Sequence, residues 1–308
     1  MTSPATSLAT TEPGLRARLD LPRGITLLAA GVIVAIVLLL LVFITWNGVQ
    51  LFVASGVPVA EIFSPTWQPD AGSGPTSFGL LPFIAGTLGV MAVAAVIATP
   101  LSVGLALFMA EVAPTWARRI TQPAMEVFVG IPSVVYGWLG LTLLVPYLRT
   151  NLQGLGFTLG FSWFAGSLVL ALMILPTITS ISYDAFLVVP RDMRAASMAL
   201  GTTRWQAIRH VVLPAAATGI ATAVVMGMMR AAGEALAVQM VIGNRPVMPT
   251  GLTAPMTTLT SQITLDMGNT VAGEPWNQAL WTMGLVLLVI SFTFVVIVRR
   301  LAGRRIAA

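Results

Sequence analysis

Six stretches of this 308-residue chain stay apolar for longer than a soluble fold can hide them. The first, Ile25–Trp46, has 22 residues and no charged side chain. At 1.5 Å per residue, a helix of that length covers about 33 Å, enough to cross a hydrocarbon core of about 30 Å. Five more follow: Phe83–Ala110, Val127–Leu148, Trp163–Ser182, Ala215–Ile242 and Ala279–Val298. Barrel strands would alternate rather than run continuously apolar, so an all-α integral membrane protein with six transmembrane helices is predicted. The scarcity of charge agrees. Only 9% of residues are charged, against about 25% in soluble domains.

The same counts exclude several chemistries. Cysteine is absent, which removes disulfides, thiolate metal sites and cysteine nucleophiles. His210 is the single histidine, so neither a histidine zinc site nor a Ser-His-Asp triad can be assembled. No Gly-rich phosphate loop of the Walker type is present, and ATP hydrolysis by that route is not expected. The net charge of +5 comes entirely from arginine on the basic side. Those arginines lie between apolar runs and form no face for a nucleic-acid groove, so no nucleic-acid partner is expected.

Their positions predict topology instead. Arg16, Arg18 and Arg23 precede the first run, and Arg118 and Arg119 lie between the second and third. Arg191, Arg194, Arg204 and Arg209 lie between the fourth and fifth, and Arg299, Arg300, Arg304 and Arg305 follow the sixth. Thirteen of sixteen arginines thus fall on one side, with Arg149 and Arg245 on the other. The positive-inside rule then puts both termini in the cytoplasm of a multi-pass cell-membrane protein. Residues 1–24 and 301–308 are predicted cytoplasmic tails, 25–46 the first span, and 47–81 an extracytoplasmic loop with at most one short helix. Pro100, Gly130 with Pro132, and Pro176 interrupt the second, third and fourth runs. Any one of them is ordinary in a membrane helix, and together they also suit helices broken around a cavity.

The segment 184–213 is predicted to be two short helices around a tight turn. Pro190 suits a first helical position, and Asp192 opposes the helix dipole. Gly201 suits a left-handed stop, and Thr203 with Gln206 forms a capping box. Two interfacial helices resting on headgroups would share this pattern. Inside the fifth run, Arg230 and Glu234 are the only charged groups of the six runs. A charge at that depth costs about 2.5–3.5 kcal/mol and needs compensation. Spacing i, i+4 predicts one shared face, turned to the bundle interior. An ion pair locking the helix would use the same residues. The functional alternative is an oxyanion site: the Arg230 fork donates two parallel bonds, while Glu234 holds Arg230 or accepts a protonated oxygen.

Specific words in the sequence narrow these alternatives. Ala195-Ala196-Ser197-Met198-Ala199-Leu200-Gly201, followed by Val211-Val212-Leu213-Pro214, resembles the EAA loop of ABC importer permeases. The resemblance implies docking on a separate ATPase subunit. Arg191, Met193, Arg194, Ala195, Ala196, Leu200, Gly201, Thr203 and Trp205 are then candidate coupling residues. The family pattern usually begins with Glu where this chain has Ala195, and Arg194 beside it is expected to change the sign of the docking surface. Gly227–Asn244 is similar to the fifth-span signature of bacterial phosphate importer permeases of the PstC type, with Ala235 where Thr is common. Ile131–Gly137 resembles their third-span signature, and Phe78–Ile84 the entry to their second.

This resemblance implies a type I ABC importer permease fold (MetI-like) with a transmembrane core over 82–300. It implies half of a path for phosphate, with Arg230 and Glu234 binding substrate. It also implies a PstA-type permease, a PstB-type ATPase dimer and a PstS-type phosphate-binding protein as partners. ATP and Mg²⁺ would bind the ATPase, leaving no cofactor or metal in this chain. A permease for another oxyanion, or a non-transport intramembrane protein, are the alternatives.

Overall fold

The computed structural model describes residues 14–70 and 74–303. The predicted tails therefore fall partly outside it, at 1–13 and 304–308. The chain divides between Asn47 and Gly48. The first unit is the helix α1 (Gly14–Val53) as far as Asn47. This helix begins before the predicted tail ends. Its apolar side chains from Ile25 to Phe43, Leu28 and Leu39 among them, are exposed, as suits a helix solvated by lipid.

In the second unit α1 runs on to Val53, so the predicted loop 47–81 starts as helix. A 3-10 turn, Val59–Phe63, and a two-stranded antiparallel hairpin follow, β1 (Trp67–Gln68) with β2 (Ser77–Phe78). The hairpin was not legible in the sequence. It presents Trp67 edge-on to Phe83 with 5.1 Å between ring centres, fixing the entry to α2 (Leu81–Leu107).

The bundle is built on α2, α6 (Trp163–Leu187) and α9 (Leu213–Ala232). Ala94 and Ala98 of α2 pack with Ala171 and Ile174 of α6 and Ala223 of α9. Lipid is as apolar as these side chains, so association rests on close van der Waals approach, which small residues permit. Ser102 Oγ donates to the Leu175 carbonyl at 3.0 Å, tying α2 to α6 just before Pro176. Pro100 and Pro176 both lie inside unbroken helices. For those two positions the ordinary account of membrane prolines suffices.

Gly130–Pro132 behaves differently. The predicted third span, Val127–Leu148, is corrected to two helical pieces that meet at 90°. α3 (Thr115–Gly130) ends there because Ile131 precedes a proline and takes extended angles, φ −66° and ψ 128°. Beyond the bend, α4 (Ser133–Leu139) passes through a π turn into α5 (Val145–Asn151). With that pair as one span, six helices cross by length and composition.

The connection 188–212 carries α7 (Arg191–Ala199) and α8 (Arg204–Ala207). Pro190 is the N-cap of α7 rather than its first residue. α8 is not separate from the fifth span. It continues through a π turn, Ile208–Val212, into α9, giving 29 helical residues from Arg204 to Ala232. The wider turn falls just before Pro214, which has no N–H to give to a preceding carbonyl.

The far end of that span is also corrected. It stops at Ala232, ten residues before the predicted Ile242, and a separate α10 (Leu236–Ile242) follows. Gly243, at φ +95°, ends α10 in the left-handed region. The chain then folds back so that Met256 and Leu259, at the start of α11 (Leu259–Asp266), are fully buried. α12 (Pro275–Gly303) closes the bundle.

α10 reaches α4 and the π turn after it through two glycines, Gly137 and Gly140. A Cβ on Gly137 would stand 2.8 Å from Ala237 Cα, and one on Gly140 2.7 Å from Val241 Cγ1. Gly137→Val is expected to destabilise by about 1–3 kcal/mol, the range for overpacking. A lowered thermal midpoint in detergent would register it. Gly104→Ala, inside α2 where a Cβ meets nothing within 4 Å, is expected to leave that midpoint unlowered or raise it slightly.

Candidate functional site

The third-span and fifth-span words, about a hundred residues apart in sequence, meet at the α4–α10 contact. Gly233 terminates α9, since glycine is a poor helix former. Glu234 then stabilises the restart: its Oε1 accepts the Ala237 N–H at 3.2 Å, a carboxylate at the N-terminal turn of α10. The Glu234 carbonyl, freed by the break, accepts from Thr260 Oγ1 at 2.7 Å.

These contacts overturn the expected helical pair. Arg230 and Glu234 are not one turn apart on a continuous helix, because the helix ends between them. Among the described residues, Arg230 makes no hydrogen bond or ion pair. It lies in the last turn of α9, where a cation complements the helix dipole. Nor is it turned into this subunit's own core: it is exposed on a face the subunit leaves uncovered. Tyr136 of α4 is near enough to feel its charge. The Tyr136 hydroxyl donates to the Phe128 carbonyl at 2.9 Å and so braces the α3–α4 bend. Tyr136 stood inside a recognised word, but no spacing marked it as a neighbour of Arg230.

What results is an exposed guanidinium that has no hydrogen-bond partner among the described residues and is near enough to Tyr136 for its charge to be felt there. That group can take an oxyanion by two parallel charge-assisted bonds. A separate cavity of about 250 Å³ between α3 and α6 holds Glu126 and Asp184 and does not include Arg230. No group of three or more His, Asp or Glu side chains able to hold a metal occurs among the described residues.

The candidate coupling residues gather on one surface. The capping box is formed, with Thr203 N donating to Gln206 Oε1 at 2.8 Å and Gln206 N to Thr203 Oγ1 at 3.3 Å. Gly201 makes the turn at φ +82°. Arg191, Met193, Ala195, Ala196, Thr203 and Trp205 are all exposed, and Leu200 is 86% exposed. Arg194 is the exception. It turns inward, donating from Nε to Glu111 Oε1 at 3.0 Å and from Nη1 to the Val189 carbonyl at 2.8 Å. Its charge is spent inside the fold, and the expected reversal of sign at the docking surface does not arise from it. Glu111 was missed in the sequence, where it is one acid among eleven with no motif around it.

Since Arg230 has no hydrogen-bond or ion-pair partner among the described residues and loses only its place at the helix C-terminus, Arg230→Gln is expected to cost at most about 1 kcal/mol of fold stability. Glu234→Ala, which removes an N-terminal acceptor, is expected to cost about 1 kcal/mol. Thermal unfolding of the two purified variants compares them directly.

Comparison with known proteins places this arrangement. The family described as "Binding-protein-dependent transport system inner membrane component" matches residues 102–307. A "Probable ABC transporter permease protein YqgH" of Bacillus subtilis is 48% identical, over 94% of this chain and 93% of that protein. The "Phosphate transport system permease protein PstC" of Xylella fastidiosa is 35% identical, over 97% of this chain and 96% of that protein. A chain of the bacterial alginate ABC transporter solved with a pentasaccharide-bound periplasmic protein has a TM-score of 0.61 at 16% identity, over 92% of this chain and 96% of its own. A chain of the MetNI methionine ABC transporter has a TM-score of 0.52 at 19% identity, over 72% of this chain and 95% of its own. The fold is thus that of the MetI-like type I ABC importer permeases. Sequence and fold together make this chain a member of the binding-protein-dependent transport system inner membrane component family, a multi-pass permease subunit and not an enzyme.

Proposed function

We propose that this chain is the membrane-spanning subunit of an ATP-driven phosphate importer and forms half of the path for inorganic phosphate. Arg230 is the substrate-binding cation. The observation that carries the proposal is its guanidinium, which has no partner among the described residues and lies on an uncovered face at the broken end of α9. A charge left unpaired within a span needs compensation, and a passing oxyanion supplies it. Glu234 Oε2 makes no hydrogen bond among the described residues, which leaves it open to the proton of hydrogen phosphate. Sulfate, with no proton near neutral pH, would gain nothing there. Relatives named as phosphate transport permeases support the same substrate.

The partners follow from the same proposal. A PstA-type permease covers the face that bears Arg230, and a PstS-type protein delivers phosphate from outside. A PstB-type ATPase dimer, which binds ATP and Mg²⁺, docks on the exposed surface of Met193, Ala195, Ala196, Leu200 and Trp205. That surface and both termini are cytoplasmic in a bacterial cell membrane, a reading the distribution of arginine supports.

Labelled phosphate uptake into vesicles holding the assembled complex, with sulfate as competitor, tests the substrate. Arg230→Gln is expected to abolish uptake while the complex still assembles. Normal uptake by that variant would remove Arg230 from the path. Gly201→Val is expected to uncouple ATP hydrolysis from uptake. A Cβ there meets nothing within 4 Å, so only the left-handed backbone is disturbed, at about 1–2 kcal/mol. Unchanged phosphate per ATP would count against docking through this turn.

A further inference from the structure

Two arginines on opposite sides of the Gly201 turn converge on one residue that lies outside the turn. Arg194 of α7 forms an ion pair with Glu111 at 2.8 Å, and Arg204 of α8 donates to the Glu111 carbonyl at 3.0 Å. Glu111 sits in the π turn Phe108–Val112 that ends α2. The remaining donors of Arg194 reach the Val189 and Phe186 carbonyls at 2.8 and 2.9 Å, at the end of α6. Phe186 lies in the last turn of α6, and Val189 just beyond its C-cap Val188. One guanidinium therefore joins α7, α6 and α2, and the same acid receives the second arginine from the helix that continues into α9.

α7 has nine residues, too short to hold its place by helix propensity alone, whereas α8 is the first turn of the 29-residue helix that runs into α9. Bonds within the turn, such as Ser197 Oγ to Thr202 Oγ1 at 2.8 Å, set its shape but not its attachment to the bundle. The attachment to the end of α2 runs through Glu111, whose carboxylate takes Arg194 and whose main-chain carbonyl takes Arg204. The pair is well shielded, with side-chain exposures of 20% for Arg194 and 13% for Glu111. Its bonds are charge-assisted and roughly twice as strong as neutral ones.

We propose that Glu111 is the positioning residue of the coupling machinery. It fastens α7 and α8 to the end of α2, so that displacement of the exposed surface moves α2, α6 and α9 as one body. This rests on reading Met193–Trp205 as the ATPase docking surface. A pair that only stabilised the fold would leave the ratio of phosphate moved to ATP hydrolysed unaltered.

The test is that ratio, measured in vesicles with the full complex. Glu111→Gln keeps the shape and removes the charge. It is expected to lower phosphate per ATP about fivefold or more while the complex assembles normally. A wild-type ratio overturns the proposal. Should that variant assemble poorly, the absence of native cysteine permits a second route. In the double variant Glu111→Cys, Arg194→Cys, joining the two thiols with a short bis-methanethiosulfonate linker is expected to restore the ratio, and reducing the link to lower it again. A joined protein that stops transporting shows that the parts must separate during the cycle, and overturns the proposal. A wild-type complex that moves no phosphate defeats the substrate assignment instead. The role of Glu111 is then read from ATP hydrolysis stimulated by the binding protein, where equal stimulation in wild type and Glu111→Gln overturns it.

Discussion

Inside a membrane, a chain can leave its helix only where the freed N–H and C=O groups find partners in the protein. At Gly233–Ala235 those partners exist. The Glu234 side chain takes the Ala237 N–H, and Thr260 supplies a hydroxyl to the Glu234 carbonyl. The arrangement of the site depends on this interruption. On an unbroken helix Arg230 and Glu234 would stand one turn apart and could neutralise each other. The break commits one oxygen of Glu234 to the backbone and leaves the guanidinium free. α11, which carries Thr260, is drawn into the bundle by the same requirement.

Close helix approach sets where this free charge stands. α10 can sit behind α4 only because Gly137 and Gly140 offer no side chain toward Ala237 and Val241. With α4 held there, Tyr136 reaches across the bend to the Phe128 carbonyl and remains near Arg230. Bend, break and glycine contact form one unit. Removing any of them would shift the guanidinium relative to the uncovered face, where a displacement of about 1 Å matters for ligand geometry.

The helix from Arg204 to Ala232 joins the proposed site at Arg230 to the exposed surface proposed for coupling. Its 29 residues correspond to about 43 Å of rise. Trp205 stands at one end and Arg230 at the other. A rod with a single π turn transmits displacement better than two helices hinged at Pro214 would. The cluster at Glu111 adds α2 and α6 to that rod, so four elements share one point of attachment.

The sequence by itself determined that the chain is built of membrane helices and where five of them approximately lie, because an uncharged run of twenty residues has few other stable fates. It also determined the Gly201 turn and the Thr203–Gln206 capping box, since both are local and depend on residues within reach of one another. The bend at Gly130–Pro132 was visible as a possibility, but only its surroundings separated it from the harmless prolines 100 and 176. The β1–β2 hairpin, the break after Ala232 and the inward turn of Arg194 were decided by tertiary structure. Each depends on a partner distant in sequence: Phe83 packs on Trp67 of the hairpin, Thr260 takes the carbonyl at the break, and Glu111 draws Arg194 inward. A helical period of 3.6 residues carries no record of which acid, hydroxyl or ring will stand across the bundle, and those contacts fix where the charges finally point.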